Sequence, residues 1–168
     1  MSEMRSYSSL ADVTWADVDL PDQGLAIEIP EGWEGSVDEG GATFFGDYDG
    51  DYRPSIIVRT GKAEQPGEAW FDEFTSGIAG MITQQVADVE VVETSRFNMA
   101  PLDAPLFRLL AHWPAYPPAV PATTQLHAWI WVSSERVVSF SATTDVAYEE
   151  RDLPVFEHVL RSIYLEED

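Results

Sequence analysis

The chain has 168 residues, of which 45% are apolar, and its 30 acidic and 9 basic side chains give a net charge of −21. This length and composition suit one folded domain and exclude a disordered chain, while the acidic field opposes nucleic acid and anionic membrane surfaces as partners. The sequence contains no cysteine, which excludes disulfides, thiolate metal sites and a cysteine nucleophile.

The first half of the chain predicts short strands and then one long helix. Apolar alternation bounded by turn residues such as Pro21-Asp-Gln-Gly24 predicts strands at 25–29, 42–45 and 55–60, and a short strand or turn at 13–20. Residues 68–86 predict a helix, because apolar side chains recur there at helical spacing: Trp70, Phe74, Ile78 and Met81. Gly77 and Gly80 each cost about 1 kcal/mol inside a helix. We interpret them as residues that let this helix lie close to a bulky sheet face.

The second half predicts two hairpins and a terminal helix. The four strands are expected at 89–97, 105–113, 124–132 and 137–144. Asp152 is predicted to cap the helix, with Pro154 in its first turn. The buried stripe of this helix is expected to consist of Phe156, Val159, Leu160 and Ile163.

These elements predict an α+β fold, an α/β/α sandwich with a mostly antiparallel six- to seven-stranded sheet flanked by two main helices. We expect a single domain over residues 13–165. Residues 1–12 are expected to form a flexible N-terminus and residues 166–168 an acidic tail.

The hairpin at 124–144 is the expected centre of the sheet. One face of its first strand carries Leu126, Ala128, Ile130 and Val132, and the other carries Gln125, His127, Trp129 and Trp131. Two tryptophans on the second face are too apolar for open water, so we expect cover on both faces. Either the long helix buries the second face as ordinary core, or it leaves an aromatic groove for a peptide. The groove interpretation makes Trp129, Trp131 and His127 candidate protein-binding residues, with Trp113 and Tyr116 near one end.

The sequence contains no pattern that indicates catalysis or metal binding. Asp47, Asp49 and Asp51 mimic the start of a calcium loop, but Tyr52 stands where the loop needs glycine and Val58 where it needs glutamate. The three histidines lack ligand spacing, and we expect each to be a hydrogen-bonded structural residue. We therefore predict no catalytic, cofactor-binding or metal-binding residues.

Four short motifs resemble the PsbP/Mog-like superfamily, in matching order and spacing over residues 24–165. They are Ile27-Glu-Ile-Pro-Glu-Gly-Trp33, Pro54-Ser-Ile-Ile-Val58, Phe140-Ser-Ala-Thr-Thr144 and Phe156-Glu-His-Val-Leu-Arg-Ser-Ile163. The superfamily includes photosystem accessory subunits, a nuclear-transport factor that binds a small GTPase, actinobacterial lipoproteins and chaperones of type VI secretion effectors. The resemblance implies a binding protein, and it transfers no catalytic residue set. The chain departs from the lipoproteins, because its first residues show neither a signal peptide nor a lipidation cysteine.

We therefore expect a non-enzymatic, cytoplasmic protein that binds another polypeptide through a basic or apolar segment, as a secretion-linked chaperone or adaptor. Nucleic acid, membrane insertion and a cofactor are not expected. One alternative is a small-molecule-binding protein or an enzyme, which requires clustered titratable groups in a cleft. Another is a structural subunit whose acidic face docks on a basic partner.

Overall fold

The computed structural model describes residues 12–47, 53–62, 68–86, 88–100, 102–115, 121–133 and 136–166. They form two helices, α1 (Glu68–Gln85) and α2 (Glu149–Ser162). They also form these strands: β1 (Trp15–Leu20), β2 (Leu25–Pro30), β3 (Glu34–Asp38), β4 (Gly41–Phe45), β5 (Ser55–Gly61), β6 (Glu90–Met99), β7 (Ala104–Trp113), β8 (Thr123–Ser133), β9 (Arg136–Asp145) and β10 (Tyr164–Leu165). The predicted order of strands, long helix, two hairpins and closing helix is confirmed.

The strands form two sheets in which every pair is antiparallel. The larger sheet has seven strands in the order β3-β4-β5-β9-β8-β7-β6, and the smaller has three in the order β1-β2-β10. The β8–β9 hairpin lies inside the larger sheet, with β5 on one side and β7 on the other, as predicted. The α+β architecture with a seven-stranded antiparallel sheet is confirmed, and the three-stranded sheet is an addition to it.

The sequence pattern missed the edge strand β3, because its residues do not alternate between apolar and polar. All five residues of β3 are exposed, including Val37 at 61%. Gly35, Ser36 and Asp38 are also residue types that strands disfavour, so only pairing with β4 defines this segment as a strand. The opposite edge, β6, has a register shift between Val91 and Glu93. Short length at one edge and a bulge at the other both discourage edge-to-edge aggregation.

One face of the larger sheet carries the main core, and we call it the α2 face. Leu126, Ala128 and Ile130 of β8 point into this core and are fully buried. The core is closed by α2 and by the three-stranded sheet, whose Leu25, Ile27 and Ile29 are at most 3% exposed. The predicted stripe of the closing helix is confirmed, since these four residues are buried: Phe156, Val159, Leu160 and Ile163.

The other face, which we call the α1 face, carries a smaller apolar cluster under α1. From the helix, Phe74, Ile78 and Ile82 pack against the sheet. The sheet residues in this cluster come from β6, β7 and β8: Val91, Phe107, Leu109, Ala111, Trp113 and Trp129. The interpretation of Gly77 and Gly80 as close-packing residues is wrong. Both are exposed, and a Cβ added at either would have no neighbour within 4 Å.

The start of α2 also differs from the prediction. The helix begins at Glu149, after a short 3-10 turn over Val146–Tyr148 that Asp145 caps by accepting a 2.9 Å hydrogen bond from the N–H of Ala147. Asp152 therefore lies within the helix, where it is 3% exposed and accepts hydrogen bonds from side chains. Neither described helix is both long and apolar enough to cross a membrane.

Candidate functional site

Strand register places residues from five strands in rows across the α1 face. The three rows are Trp129–Ser139–Arg59–Gly41–Asp38, His127–Ser141–Ile57–Thr43–Ser36 and Gln125–Thr143–Ser55–Phe45–Glu34. The apolar cluster under α1 ends at Trp129. The side chains on the α1 face of β9, β5, β4 and β3 lie beyond that cluster. We call them, together with Trp131 at their border, the open strip.

Trp129 lies at the border between the apolar cluster under α1 and the open strip. Its ring makes an edge contact with Phe74 of α1, with centroids 6.1 Å apart, and it also lies 6.1 Å from the ring of Phe107. Trp70 stacks on Phe74 at 5.5 Å and extends the aromatic group along α1. Trp129 is therefore half-buried and packs in the cluster under α1, while its role in binding a peptide stays a prediction.

Trp131 lies two residues further along β8, opposite Val137 of β9 and outside the cluster under α1. Its side chain is half-buried, and its indole N–H is buried without a hydrogen-bond partner among the described residues. Trp113 also has a buried indole N–H without a described partner, but it belongs to the helix cluster at the far end of β7. The structure therefore separates Trp113 from Trp131, and Tyr116 lies outside the described residues.

His127 lies on the α1 face of β8, between Trp129 and the open strip, and makes two hydrogen bonds. Its Nε2 is 2.8 Å from Oε1 of Gln125, which only accepts, so the ring proton is on Nε2. Its Nδ1, 3.0 Å from Oγ of Ser141, therefore accepts the hydroxyl proton. Burial lowers the pKa of His127 from 6.5 to about 4, because the charged imidazolium loses solvation there. The imidazole of His127 is consequently uncharged at neutral pH.

Ser141, His127 and Gln125 are arranged like a nucleophile, a base and the group that orients the base. However, a histidine with a pKa of about 4 is a weak general base at neutral pH. Ser141 also sits in a strand paired on both sides, with Ile57 and His127. Its backbone amide group is used by the sheet and does not offer an oxyanion hole. The arrangement fits a hydrogen-bonded structural histidine, as predicted.

The other two histidines attach α2 to its neighbours. Nε2 of His112 on β7 is 2.7 Å from Oε1 of Glu149, and Nε2 of His158 is 2.7 Å from Oε2 of Glu28 on β2. The ring of Trp15 stacks on His158 with centroids 3.7 Å apart. All three histidines are therefore hydrogen-bonded, as the sequence predicted.

A cleft of about 590 Å³ runs along α2 on the opposite side of the larger sheet from the open strip. It is lined by Glu28, Pro154, Glu157, His158, Arg161 and Ser162. Two of its carboxylates already have partners in the chain, since Glu28 bonds His158 and Glu157 bonds Arg108. No cluster of three metal-ligating side chains occurs within the described ranges. Of the calcium-like loop, Asp47 is described, whereas Asp49 and Asp51 lie outside those ranges.

Solved structures of three proteins share this arrangement of elements over nearly the whole chain. A Pseudomonas aeruginosa protein of unknown function, a putative regulator, has a TM-score of 0.65 at 14% identity and covers 92% of this chain and 99% of its own. The cyanobacterial PsbP of Synechocystis (CyanoP) has a TM-score of 0.58 at 11% identity, covering 96% and 98%. The Ran-binding protein Mog1p of Saccharomyces cerevisiae has a TM-score of 0.54 at 10% identity, covering 91% and 96%. The chain has a PsbP/Mog-like fold. No protein-family model and no curated protein matches the sequence.

The four sequence motifs fall on elements of this structure. They lie at the end of β2 and its following turn, at the start of β5, in β9, and in α2. At identities of 10–14% the likeness concerns the fold alone. The function has to be argued from the side chains of this chain.

Sequence reasoning missed part of the open strip. Alternation in the strand 137–144 places Ser139, Ser141 and Thr143 on one face. The sequence alone therefore predicts that these three side chains lie side by side. Their position next to Trp129 and Ile57 depends on the pairing of β9 with both β8 and β5. No local pattern predicts that pairing, because β5 is separated from β9 by some 75 residues.

Proposed function

We propose that this protein is a non-catalytic binding module that holds a segment of another polypeptide on the open strip beside α1. The observation that carries the proposal is that, among the described residues, the apolar cluster under α1 covers only part of the α1 face. The helix cluster ends at Trp129, and Trp131 beyond it keeps a buried indole N–H without a described partner. A bound segment would supply apolar cover for the half-buried ring of Trp131.

The width of the sheet supports this interpretation. Seven strands about 4.8 Å apart span about 29 Å, whereas one helix with its side chains covers about 10 Å. On the α2 face, α2 and the three-stranded sheet together cover the core. On the α1 face, the described cluster involves one helix and reaches only from β6 to β8.

The residues of the strip suit a polypeptide better than a reaction. Ile57 and Trp131 offer half-buried apolar surface, and Ser139, Ser141 and Thr143 offer hydroxyl groups between them. Such a mixture provides contact area together with adaptable hydrogen bonds. Mog1p, which shares the fold, is a Ran-binding protein, and this supports a role in binding another protein. More specifically, we propose that the protein acts in the cytoplasm as a secretion-linked chaperone or adaptor.

The test is affinity capture from the host with single tryptophan variants. Trp131→Ala is the sharper probe, because Trp129 also stabilises α1 and its removal confounds binding with folding. We expect Trp131→Ala to lose the captured partner while its melting temperature stays within about 4 °C of wild type, which corresponds to roughly 1 kcal/mol. Trp15→Ala is the matched control, since Trp15 stacks on His158 in the other layer of the molecule.

A partner retained by Trp131→Ala, or lost equally from Trp15→Ala, would contradict the proposed site. A fall of many degrees in the melting temperature of Trp131→Ala would assign this residue to the core.

A second candidate function, small-molecule binding, is favoured by the cleft of about 590 Å³ along α2. His158, Glu28 and Arg161 bring both signs of charge into that cleft. A thermal-shift screen of metabolites against wild type and His158→Gln tests this candidate. A stabilising compound whose effect disappears in the variant would support it, and a screen without any stabilising compound would count against it.

A further inference from the structure

Resting on the proposed function, we propose that α1 is a displaceable cover of the α1 face, which opens away from the sheet on its own while α2 and both sheets stay folded. Opening joins the sheet residues beneath α1 to the open strip as one surface. The position of α1 then regulates how much of that surface a bound polypeptide can contact.

Side-chain contacts fasten α2 to three strands. Each contact joins the helix to β2, β7 or β9, and the pairs are Glu149–His112, Asp152–Thr144, Glu157–Arg108 and His158–Glu28. Two of these residues, Asp152 and Arg108, are at most 6% exposed. Opening of α2 therefore requires the loss of all four contacts together with its part of the main core.

Polar contacts hold α1 at one point only. Among the described residues, its side chains make a single ion pair with the sheet, between Asp72 and Arg96 of β6. The hydroxyl groups of Thr75, Ser76 and Thr83 donate hydrogen bonds to backbone carbonyl groups of α1 itself. Such bonds do not attach the helix to the sheet, and they slightly destabilise a helix.

The apolar cluster under α1 is also smaller than the main core. On the helix side of this cluster, Ile78 is 4% exposed, whereas Phe74 and Ile82 are half-buried. Phe71 is fully buried, with the guanidinium of Arg96 5.8 Å from its ring, and it anchors the first turns of α1. Detaching α1 therefore exposes less apolar surface than detaching α2, whose buried stripe closes the main core.

The helix α1 is weak once it leaves the sheet. Gly77 and Gly80 are exposed, and each lowers the equilibrium constant for helix formation about fivefold relative to alanine. Isolated helices below about 12–15 residues are marginal in water even when they are rich in alanine. Since α1 has 18 residues with both glycines among them, the detached segment unfolds and gains conformational entropy.

Opening uncovers apolar residues that adjoin the open strip. The sheet residues beneath α1 include Leu109 and Ala111, which are fully buried in the closed form. Trp129 belongs to the same cluster and borders the strip, so the uncovered residues and the strip form one surface across β7, β8, β9 and β5. A polypeptide that contacts this surface binds the open form more tightly, and by linkage it shifts α1 towards opening.

Hydrogen exchange of the native full chain tests the opening without any partner. After correction for intrinsic rates, the amides of α1 over residues 74–82 should exchange at least about hundredfold faster than the slowest amides of β8 and α2. The variant Gly77→Ala/Gly80→Ala should slow the exchange of α1 by about tenfold or more, because it stabilises the closed helix.

A matched pair of substitutions separates local opening from global unfolding. Ile78→Val removes a methyl group under α1, and Ile130→Val makes the same change in the main core, where Ile130 is fully buried. Each should accelerate the exchange of the amides that depend on it by about two- to tenfold. We expect Ile78→Val to accelerate α1, and Ile130→Val to accelerate β8 and leave α1 unchanged. Equal acceleration of α1 by both variants, or an α1 as protected as β8, would overturn the inference.

The proposed site and its regulation fail separately. In the capture experiment, Gly77→Ala/Gly80→Ala should recover severalfold less of a partner whose capture depends on Trp131, because closing of α1 competes with binding. Equal recovery would overturn the regulatory part of α1. Capture that does not depend on Trp131 contradicts the proposed site, and the exchange measurement still decides whether α1 opens.

Discussion

Two threonines that face each other across β8 and β9 offer a sharp test of how buried polar groups affect this fold. Thr124 and Thr144 are cross-strand partners, and both are fully buried on the α2 face. The hydroxyl of Thr144 donates a 2.5 Å hydrogen bond to Oδ2 of Asp152 in α2. The hydroxyl of Thr124 is buried without a hydrogen-bond partner among the described residues. Valine has nearly the same shape as threonine, so one substitution made at both positions isolates the role of the hydroxyl.

The two substitutions should have opposite signs. Thr144→Val removes a donor from a carboxylate that is only 3% exposed, although Arg151 still contacts it through Nε at 2.7 Å. A hydrogen bond to a charged group contributes about 1.5–3 kcal/mol, so the free energy of unfolding should fall by about that amount. Thr124→Val removes a polar group buried without compensation, which costs about 1–3 kcal/mol in protein data, so stability should rise by about 1 kcal/mol.

The assay is urea unfolding followed by circular dichroism, with the urea slope required to stay constant among the variants. Both residues are β-branched before and after the change, so strand propensity does not distort the comparison. If the two side chains interact, the change in the free energy of unfolding of the double variant should differ from the sum of the two single changes. A loss of stability in Thr124→Val as large as in Thr144→Val would refute the reasoning, because it would mean that Thr124 has a hydrogen-bond partner.

Three further predictions concern other parts of the molecule. Gly77→Ala and Gly80→Ala should each raise the free energy of unfolding by up to about 1 kcal/mol, since neither Cβ would meet a neighbour within 4 Å; a loss of stability in thermal melts would show that α1 packs at these positions. Arg108→Met should cost about 3–5 kcal/mol, because Arg108 is 6% exposed and pairs with Glu93 and Glu157. The exposed pair of Arg59 and Asp38 makes Arg59→Met a control that should cost less than about 1 kcal/mol in the same chemical denaturation. Burial lowers the pKa of His127 from 6.5 to about 4, so the unfolded chain takes up a proton between these pH values and the folded chain does not. Stability from this residue is therefore fully present above pH 6.5 and falls by about 3 kcal/mol as the pH drops to 4, and His127→Gln should lose this part of the pH dependence.

Local pattern determined the elements that carry strong periodicity. The alternation in β8 and β9 and the helical spacing in α1 and α2 place apolar side chains on one face, whatever the rest of the chain does. These patterns predicted both hairpins, the long helix and the buried stripe of α2. The same reasoning predicted hydrogen-bonded histidines, because isolated histidines among apolar residues need a partner when they are buried.

The pattern failed where an element is defined by its neighbours. The exposed strand β3 exists because β4 pairs with it, and the two residues of β10 form a strand because β2 lies beside them. The start of α2 was placed four residues late, because Asp152 looks like a capping residue in sequence and is instead a buried acceptor for Thr144. The glycines of α1 suggested close packing, yet they point away from the sheet.

The sequence by itself determined the charge, the amphipathic faces and the presence of two tryptophans on one side of the central strand. Only the tertiary structure decided that α1 covers Trp129 and ends its contacts there, that Arg59 and Asp38 share a row with it, and that Asp152 meets Thr144. The reason is physical. Periodicity is a local property of the chain, whereas strand order and the residues that meet across a sheet depend on contacts between segments far apart in sequence, whose loop-closure entropy and packing no local window contains.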